Sequence, residues 1–331
     1  MKKQLLALAI GSMVVAPSMA LAEKGPIVYG KVNVSYENQD DGTEDAWFLE
    51  SNASRVGVKG ELDLDVDKLK AVYQAEFEIS VDDGEKDGET FSQRNIYGGF
   101  AHETYGTLIA GKFDSPLKKA QGDVDQFNDL QGDIKNIMAG ENREDNVVQY
   151  STPSLADALK LNVAVIPGEE QDEGSENNGV ADAVSTSLVF DNGTFYGSLA
   201  YDSEIEDKLK VDGSGIAGDR LNILRATGMA RIDIFEVGAL YQMAEEDQGE
   251  GEDTSFLVSG AVNLARWKLK AQYGMTEADI RDEELSLMAV GADYKLAKKS
   301  KVYAYYSQVE EDKGDFEDTT FGVGFEHKFS M

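Results

Sequence analysis

The segment SPLKKAQGDVDQFNDLQGDIKNIMAGE, residues 115–141, separates two short segments of alternating character, GTLIAGKF (106–113) and NVVQYSTP (146–153). A loop of this length inside a compact domain usually carries function or is disordered. The segment is not of low complexity, and apolar residues recur along it, at Leu117, Val124, Phe127, Leu130, Ile134, Ile137 and Met138. We therefore expect residues 115–142, which we call the constriction loop, to fold into the lumen of a β-barrel and narrow it.

The chain around the constriction loop alternates with a period of two. In residues 27–36 (IVYGKVNVSY) the valines alternate with polar residues, and residues 54–62 (SRVGVKGEL) repeat the pattern. Strict alternation over such windows is typical of strands with one buried face. A sheet sandwich would alternate in the same way, so this pattern alone does not separate a soluble protein from a membrane barrel.

The connections between the alternating segments favour a membrane barrel. Short turns, such as 103–106 and the Asn-Gly turn at 191–193, alternate with long polar loops, such as 167–180 and 203–218. Outer-membrane barrels have short turns at one rim and long loops at the other. We therefore predict an all-β fold, a closed transmembrane antiparallel β-barrel of sixteen strands, wide enough for an aqueous channel. The predicted strands are 27–37, 47–63, 69–81, 90–102, 106–113, 143–151, 158–166, 182–191, 194–203, 219–231, 234–244, 254–264, 267–277, 284–296, 301–310 and 318–329.

Residues 1–22 have the pattern of a cleavable signal peptide. Lys2 and Lys3 precede the apolar stretch 5–15, which is too short to span a bilayer, and Ala20-Leu21-Ala22 supplies a small-x-small cleavage site. The rest of the chain lacks an 18-residue apolar run and contains no cysteine. It is therefore expected to be either a soluble exported protein or an outer-membrane barrel without disulfides.

Composition and motifs argue against catalysis and against nucleic acid as a partner. The 62 acidic and 31 basic residues give a net charge of −31, which would repel phosphate backbones. The two histidines, His102 and His327, are far apart in the sequence, and we find no catalytic, cofactor or metal motif. Asp123-x-Asp125 begins like a calcium loop but has Asn128 where the glycine belongs. Only weak Ca²⁺ or Mg²⁺ binding by the acidic external loops is expected.

Several fragments resemble the trimeric general-diffusion porins of Gram-negative bacteria. They are VYGKVNVSYE (28–37), SRVGVKGELDL (54–64), TYGTLIAGKFDSP (104–116), NREDNVVQYSTP (142–153) and FGVGFEHKF (321–329). The resemblance covers residues 23–331. It implies a homotrimer in the cell outer membrane of a Gram-negative bacterium, surrounded by lipid and lipopolysaccharide, with small hydrophilic solutes as its cargo.

The resemblance also implies that the constriction loop faces a basic wall across the channel. Transferred to this sequence, the basic wall consists of Lys31, Arg55, Lys112 and Arg143, and Lys59 shares the polar face of its strand with Arg55. The loop acids that would face it are Asp123, Asp125, Asp129 and Asp133.

The sequence thus predicts a porin that passes small hydrophilic solutes and ions by passive diffusion. A mild cation preference is expected because acidic residues crowd the long loops, for example at 169–176. Two alternatives remain open at this point: a structural or adhesive surface barrel, and a substrate-selective channel. The lining of the lumen separates the first of them from a general pore, since an apolar or plugged interior would favour a surface barrel.

Overall fold

The structure is a computed structural model, and it describes residues 26–84, 88–169, 178–211, 220–280, 282–313 and 317–331. The predicted signal peptide and most of the acidic segment 169–176 lie outside these ranges. The described strands are β1 (Ile27–Asp40), β2 (Asp45–Ser51), β3 (Arg55–Asp63), β4 (Leu69–Glu78), β5 (Ser92–His102), β6 (Gly106–Asp114), β7 (Arg143–Ser151), β8 (Leu159–Ile166), β9 (Ala183–Asp191), β10 (Phe195–Glu206), β11 (Arg220–Ile232), β12 (Phe235–Glu246), β13 (Glu252–Leu264), β14 (Trp267–Ala278), β15 (Glu284–Ala297), β16 (Ser300–Glu311) and β17 (Glu317–Ser330).

The strands form one closed antiparallel barrel. β1 pairs with β2 and β3, each strand from β3 onward pairs with the next along the chain, and β17 pairs with β1 from Tyr29↔Ser330 to Asp40↔Thr319. Closure leaves no unpaired sheet edge, which a bilayer interior requires because it offers no water to backbone N–H and C=O groups. Within the described residues no helix has the length and apolar composition needed to cross a membrane.

The predicted strand 47–63 is interrupted, although the barrel still has sixteen strands. Both β2 and β3 pair with β1, so they are two halves of one barrel strand. Between them Ala53 adopts a left-handed backbone with φ 48°, and the Asn52 amide donates to the Asn33 carbonyl at 2.8 Å. A local left-handed residue breaks the pairing register without opening the sheet. The predicted count of sixteen is confirmed.

The two faces of the barrel differ in composition in the way that alternation predicts, except on one side. On β1 the inner face is polar and buried, with Asn33, Ser35 and Glu37. Across β11–β15, however, the buried inner face also carries apolar residues among its polar ones, including Leu221, Ile223, Leu240, Leu257 and Leu287. A water-filled barrel normally has a polar interior. These apolar residues therefore require a cover.

The constriction loop supplies that cover. It contains a short helix, α1 (Pro116–Lys119), and a 3₁₀ turn (Ile134–Asn136), and its apolar side chains are almost completely buried. Ile134, Ile137 and Met138 pack in one cluster with Leu257 and Leu287. Two further clusters have the same composition, loop residues against inner-wall residues, one around Leu117 with Ile223 and one around Phe127 with Tyr305. The loop thus lies inside the barrel and fills the side bounded by β9–β16.

Truncation of a buried loop residue should loosen the loop without opening the barrel. We expect Ile137→Ala to cost about 2–5 kcal/mol of loop packing, because a fully buried isoleucine leaves a cavity. The strands keep their own backbone ladder. Hydrogen–deuterium exchange should therefore accelerate by roughly 30-fold or more in peptides from residues 115–142 and remain slow in the strands.

The matched control is Val258→Ala on the exposed outer face of β13. It should leave loop exchange unchanged. Equal acceleration in loop and strands after Ile137→Ala would mean that the loop and the barrel unfold together, contrary to this view of the fold.

Candidate pore constriction

The tip of the constriction loop reaches the opposite wall through one carboxylate. Asp129 Oδ2 lies 2.6 Å from Lys31 Nζ on β1 and 3.8 Å from Arg55 Nη2 on β3. Lys31 and Arg55 are directly paired in the register of β1 with β3, so the two cations converge on the same oxygen. Burial alone would raise the pKa of Asp129, but Lys31 and Arg55 hold it below its usual value. Asp129 is therefore ionised at any physiological pH.

The backbone of the tip is held in a conformation that few residues adopt. Asp129 is left-handed, with φ 67°, and its amide donates to Asp133 Oδ2 at 2.9 Å. The other oxygen of Asp133 accepts from the Lys135 amide at 2.9 Å and so caps the 3₁₀ turn. Aspartate tolerates the left-handed region better than most residues. Asp133 therefore serves to hold the turn that presents Asp129.

Asp125 is buried within the loop rather than facing the channel. Its oxygens accept from the amides of Phe127 and Ile134, at 2.9 and 3.2 Å, and from Gln272 Nε2 of β14 at 2.9 Å. Burial, together with the neighbouring charge of Asp133, raises its pKa. Three donors around one buried carboxylate indicate a structural role in joining the two limbs of the loop to the wall.

The remaining loop acid lies away from the tip. Asp123 Oδ2 is 2.8 Å from Arg231 Nη2 at the end of β11, on the side of the lumen that the loop covers. Of the four loop acids selected from the sequence, the structure thus brings one, Asp129, to the predicted basic wall. The other three have partners in the loop or on the covered wall.

The predicted wall residues divide in a similar way. Lys59 lies on the inner face of β3, with its ammonium 4.9 Å from the centre of the Tyr29 ring. Arg143 pairs with Asp114 at 2.8 Å, near the start of the loop. Lys112 is not brought to the constriction. A register shift between Gly111 and Phe113 disturbs the pairing of β6 with β7 at this point, and Lys112 shares the outer face of β6 with the exposed Leu108, its ammonium 2.9 Å from Asp145.

Arg94 is a wall residue that the sequence analysis missed. Its Nε lies 3.0 Å from Glu76 Oε1 and its Nη1 2.6 Å from Glu78 Oε2, and its charge also lowers the pKa of Asp129. The pairing of β4 with β5 shifts register between Ala75 and Phe77. Because of this bulge, alternation counted along β5 from the sequence would place Arg94 on the outer face of the barrel instead of the inner face. The sequence feature that could have identified Arg94 is an isolated arginine near the end of a predicted strand.

Arg225, also missed, fixes the returning limb of the loop. The residue is fully buried; its Nη1 lies 2.6 Å from Glu141 Oε1 and its Nη2 donates to the Ala139 carbonyl at 2.9 Å. Its Nε donates to Gln242, which in turn donates to the same Ala139 carbonyl at 3.0 Å. A buried guanidinium requires partners for its donors, and these contacts supply them.

The outgoing limb is fixed by neutral and charged donors from other strands. The hydroxyls of Ser198 and Tyr196 on β10 donate to the Ala120 carbonyl at 2.6 and 3.0 Å. The Lys270 ammonium donates to the Gln126 carbonyl at 2.8 Å and lies 4.3 Å from the centre of the Phe127 ring. Both limbs are therefore bonded to the wall that they cover.

Together these contacts divide the lumen into two sides. Lys31, Arg55 and Arg94 of β1, β3 and β5 lie on one side, whereas the loop covers the wall from β9 to β16. The two sides meet at the tip, where Asn128 is exposed and Asp129 contacts Lys31. In the described part of the chain, no group of three or more metal-ligating side chains is arranged to hold an ion. Weak cation binding by the outer loops stays a prediction.

Comparison with known proteins agrees with this geometry. The family model described as Gram-negative porin matches residues 7–330. Outer membrane porin protein 32 of Delftia acidovorans is 24% identical, over 92% of this chain and 88% of that protein. The solved structure of an anion-selective porin from Comamonas acidovorans has a TM-score of 0.75 at 18% identity and covers 92% of this chain and 99% of that one. A trimer form of OmpT from Vibrio cholerae has a TM-score of 0.65 at 18% identity, with 92% and 100% covered. The chain belongs to the Gram-negative porin family and is a protein of the outer membrane.

Proposed function

We propose that this porin is a passive diffusion channel for small hydrophilic solutes and ions, without a catalytic step. The observation that carries the proposal is the one-sided packing of the constriction loop. Its apolar residues pack against β9–β16, whereas the charged side chains of Arg55, Lys59 and Arg94 on the inner faces of β3 and β5 remain partly exposed. Such a face is stable only in contact with water.

The other two functions suggested by the sequence receive less support. A structural or adhesive barrel needs no hydrophilic passage, whereas Arg55, Lys59 and Arg94 line one here. A substrate-selective channel needs a site shaped for one solute, and the carboxylate of Asp129 is instead paired with Lys31.

We further propose that the barrel assembles as a homotrimer, as in the trimer form of the similar OmpT structure. Native migration of the detergent-extracted protein as a monomer would contradict this.

The diffusion proposal predicts size-limited permeation. Liposomes that contain the refolded protein should swell in solutions of small sugars and more slowly as the sugar grows, because entry depends on passage through the constriction. Charge-neutral sugars of one size should enter at similar rates. Absence of swelling with the smallest sugar, despite correctly refolded protein, would support a structural barrel. Strong preference for one sugar among isomers would support a substrate-selective channel.

Two opposing fields decide the ion preference. The described connections at the rim of long loops contain three lysines, Lys208, Lys210 and Lys313, and many more acids, namely Asp41, Glu44, Asp82, Asp83, Glu89, Glu169, Asp182, Asp207, Asp247, Glu250, Asp279, Asp282, Glu283 and Asp312. The constriction carries a small excess of the opposite sign, since Lys31, Arg55, Lys59 and Arg94 stand against Asp129, Glu76 and Glu78. We propose that the acidic rim prevails at low salt and gives a mild cation preference, in contrast to the similar porin described as anion-selective.

This preference should depend steeply on ionic strength. Charges are screened over about 10 Å at 0.1 M salt and about 3 Å at 1 M, so the field of the rim reaches the passing ion only in dilute salt. Reversal potentials in a planar bilayer under a KCl gradient should favour K⁺ near 0.1 M and approach zero preference near 1 M. An anion preference near 0.1 M would show that the wall residues dominate, and this part of the proposal would be wrong.

Neutralising the loop tip should shift the selectivity towards anions. Asp129→Asn removes the charge that balances Lys31 and Arg55, while asparagine still accepts the left-handed backbone. The reversal potential at 0.1 M salt should therefore move towards the chloride value. Asp123→Asn, which neutralises an acid paired with Arg231 on the covered side, is the matched control and should change it much less. Equal shifts for the two variants would contradict the assignment of Asp129 to the constriction.

A further inference from the structure

The charge on the barrel is distributed unevenly between its two rims. The rim of short turns includes the β13–β14 turn at 265–266 and the β15–β16 turn at 298–299. Five exposed cations lie in these turns and at the adjoining strand ends, and we call them the turn-rim basic patch: Arg266, Lys295, Lys298, Lys299 and Lys328. A basic patch of this size is unexpected in a chain with a net charge of −31.

Backbone hydrogen bonds hold the members of the patch together. The Lys295 amide donates to the Arg266 carbonyl at 2.8 Å, and the Lys328 amide donates to the Lys299 carbonyl at 2.8 Å. The five cations thus belong to neighbouring strand ends, which lie about 5 Å apart in a sheet. Their grouping is fixed by the barrel register and does not depend on a flexible loop.

The nearby acids do not neutralise the patch. Asp293 is buried and pairs with Lys301 at 2.8 Å and with Lys270 at 3.5 Å, while Glu326 is 3.2 Å from Lys328. Among the residues that the structure describes, no carboxylate lies within salt-bridge distance of Arg266, Lys295 or Lys298. By register Lys295 and Lys328 share the inner face with Lys301 and Lys31, so the three turn residues Arg266, Lys298 and Lys299 are the cations available to an anion outside the barrel.

The patch lies next to an outward-facing apolar and aromatic surface. Trp267 and Tyr294 pair across β14 and β15 with ring centres 4.8 Å apart. Leu264, Leu296 and Phe325 are exposed on the same part of the barrel. Aromatic residues at the ends of membrane strands mark the headgroup level of the bilayer, so the cations next to them lie at the depth of lipid headgroups.

We infer that the turn-rim basic patch binds the anionic phosphate headgroups of phospholipids in the leaflet next to the short turns. This leaflet faces the periplasm in outer-membrane barrels. Each basic residue near an anionic surface strengthens binding several-fold, and several together select anionic over zwitterionic lipid. The patch would fix the depth and tilt of the barrel on the side of β13–β17, while the acidic rim repels anionic lipid at the opposite side.

The test compares lipid retention by the mature protein with and without the patch. Detergent micelles contain equal amounts of phosphatidylglycerol and phosphatidylcholine, and native mass spectrometry counts the lipids that stay bound. The wild type should retain phosphatidylglycerol in preference. The variant with Arg266→Gln, Lys298→Gln and Lys299→Gln should lose this preference by roughly tenfold or more. The control with Lys208→Gln, Lys210→Gln and Lys313→Gln at the acidic rim should keep it.

Two further measurements keep the result unambiguous. Raising the salt from 0.1 to 1 M should release phosphatidylglycerol from the wild type. This measurement uses no variant, so it does not depend on whether the substituted protein folds. The patch variant should conduct ions as the wild type does, so a loss of lipid is distinguishable from a failure of the channel. A wild type without lipid preference, or a preference that survives the three substitutions, would overturn the inference. If the wild type instead sediments with purified peptidoglycan and the variant does not, the patch binds cell wall and the lipid assignment is wrong.

Discussion

Burial of the constriction loop against one side of the barrel interior is the constraint on which the rest of the structure depends. A sixteen-stranded barrel is too wide for its own side chains to fill, so its interior must be wet, or covered, or both. Here the apolar inner residues of β11–β15 cannot remain in water at low cost, and the loop residues around Ile137 and Phe127 cover them. The opposite side, around Arg55 and Arg94, stays polar and wet. The asymmetry of the wall therefore determines where the channel lies.

The position of the loop tip follows from the same asymmetry. Arg225 fixes the returning limb, and Asp125 joins that limb to β14 through Gln272. With both limbs bonded to the covered wall, the turn held by Asp133 extends Asp129 across to Lys31. Most of the loop acids thus position the loop instead of lining the channel. At the tip the basic side chains of Lys31, Arg55 and Arg94 are paired with Asp129, Glu76 and Glu78, and the proposed acidic field comes from the rim.

Much of this could be predicted from the sequence, for reasons that particular elements make clear. The alternating residues and the succession of short and long connections predict sixteen strands, because both properties repeat in every hairpin. A misplaced boundary of one strand therefore does not change the assignment of the others. The structure brings Lys31 and Arg55 together at Asp129, and their facing can be counted from the sequence because β1 and β3 alternate without a shift up to those residues. Arg94 was missed because the register shift between Ala75 and Phe77 changes its facing, and a shift leaves no mark on composition. Lys112 was assigned to the wall through the family resemblance, whereas alternation from Leu108 places it on the outer face. The loop acids look alike in sequence, and only tertiary contacts separate Asp129 from Asp125.

The central claim is that the aqueous path follows the uncovered side of the lumen, and cysteine labelling tests it most directly. The chain has no cysteine, so a single substitution gives one reactive thiol. Lys59→Cys lies on the uncovered inner face, and Ala289→Cys lies on the inner face beneath Phe127 and Gly132. A charged, water-soluble methanethiosulfonate reagent should react with the cysteine at position 59 and reduce the single-channel current. It should leave the cysteine at position 289 unmodified and the current unchanged. Rapid reaction at position 289 with protection at position 59 would contradict the account.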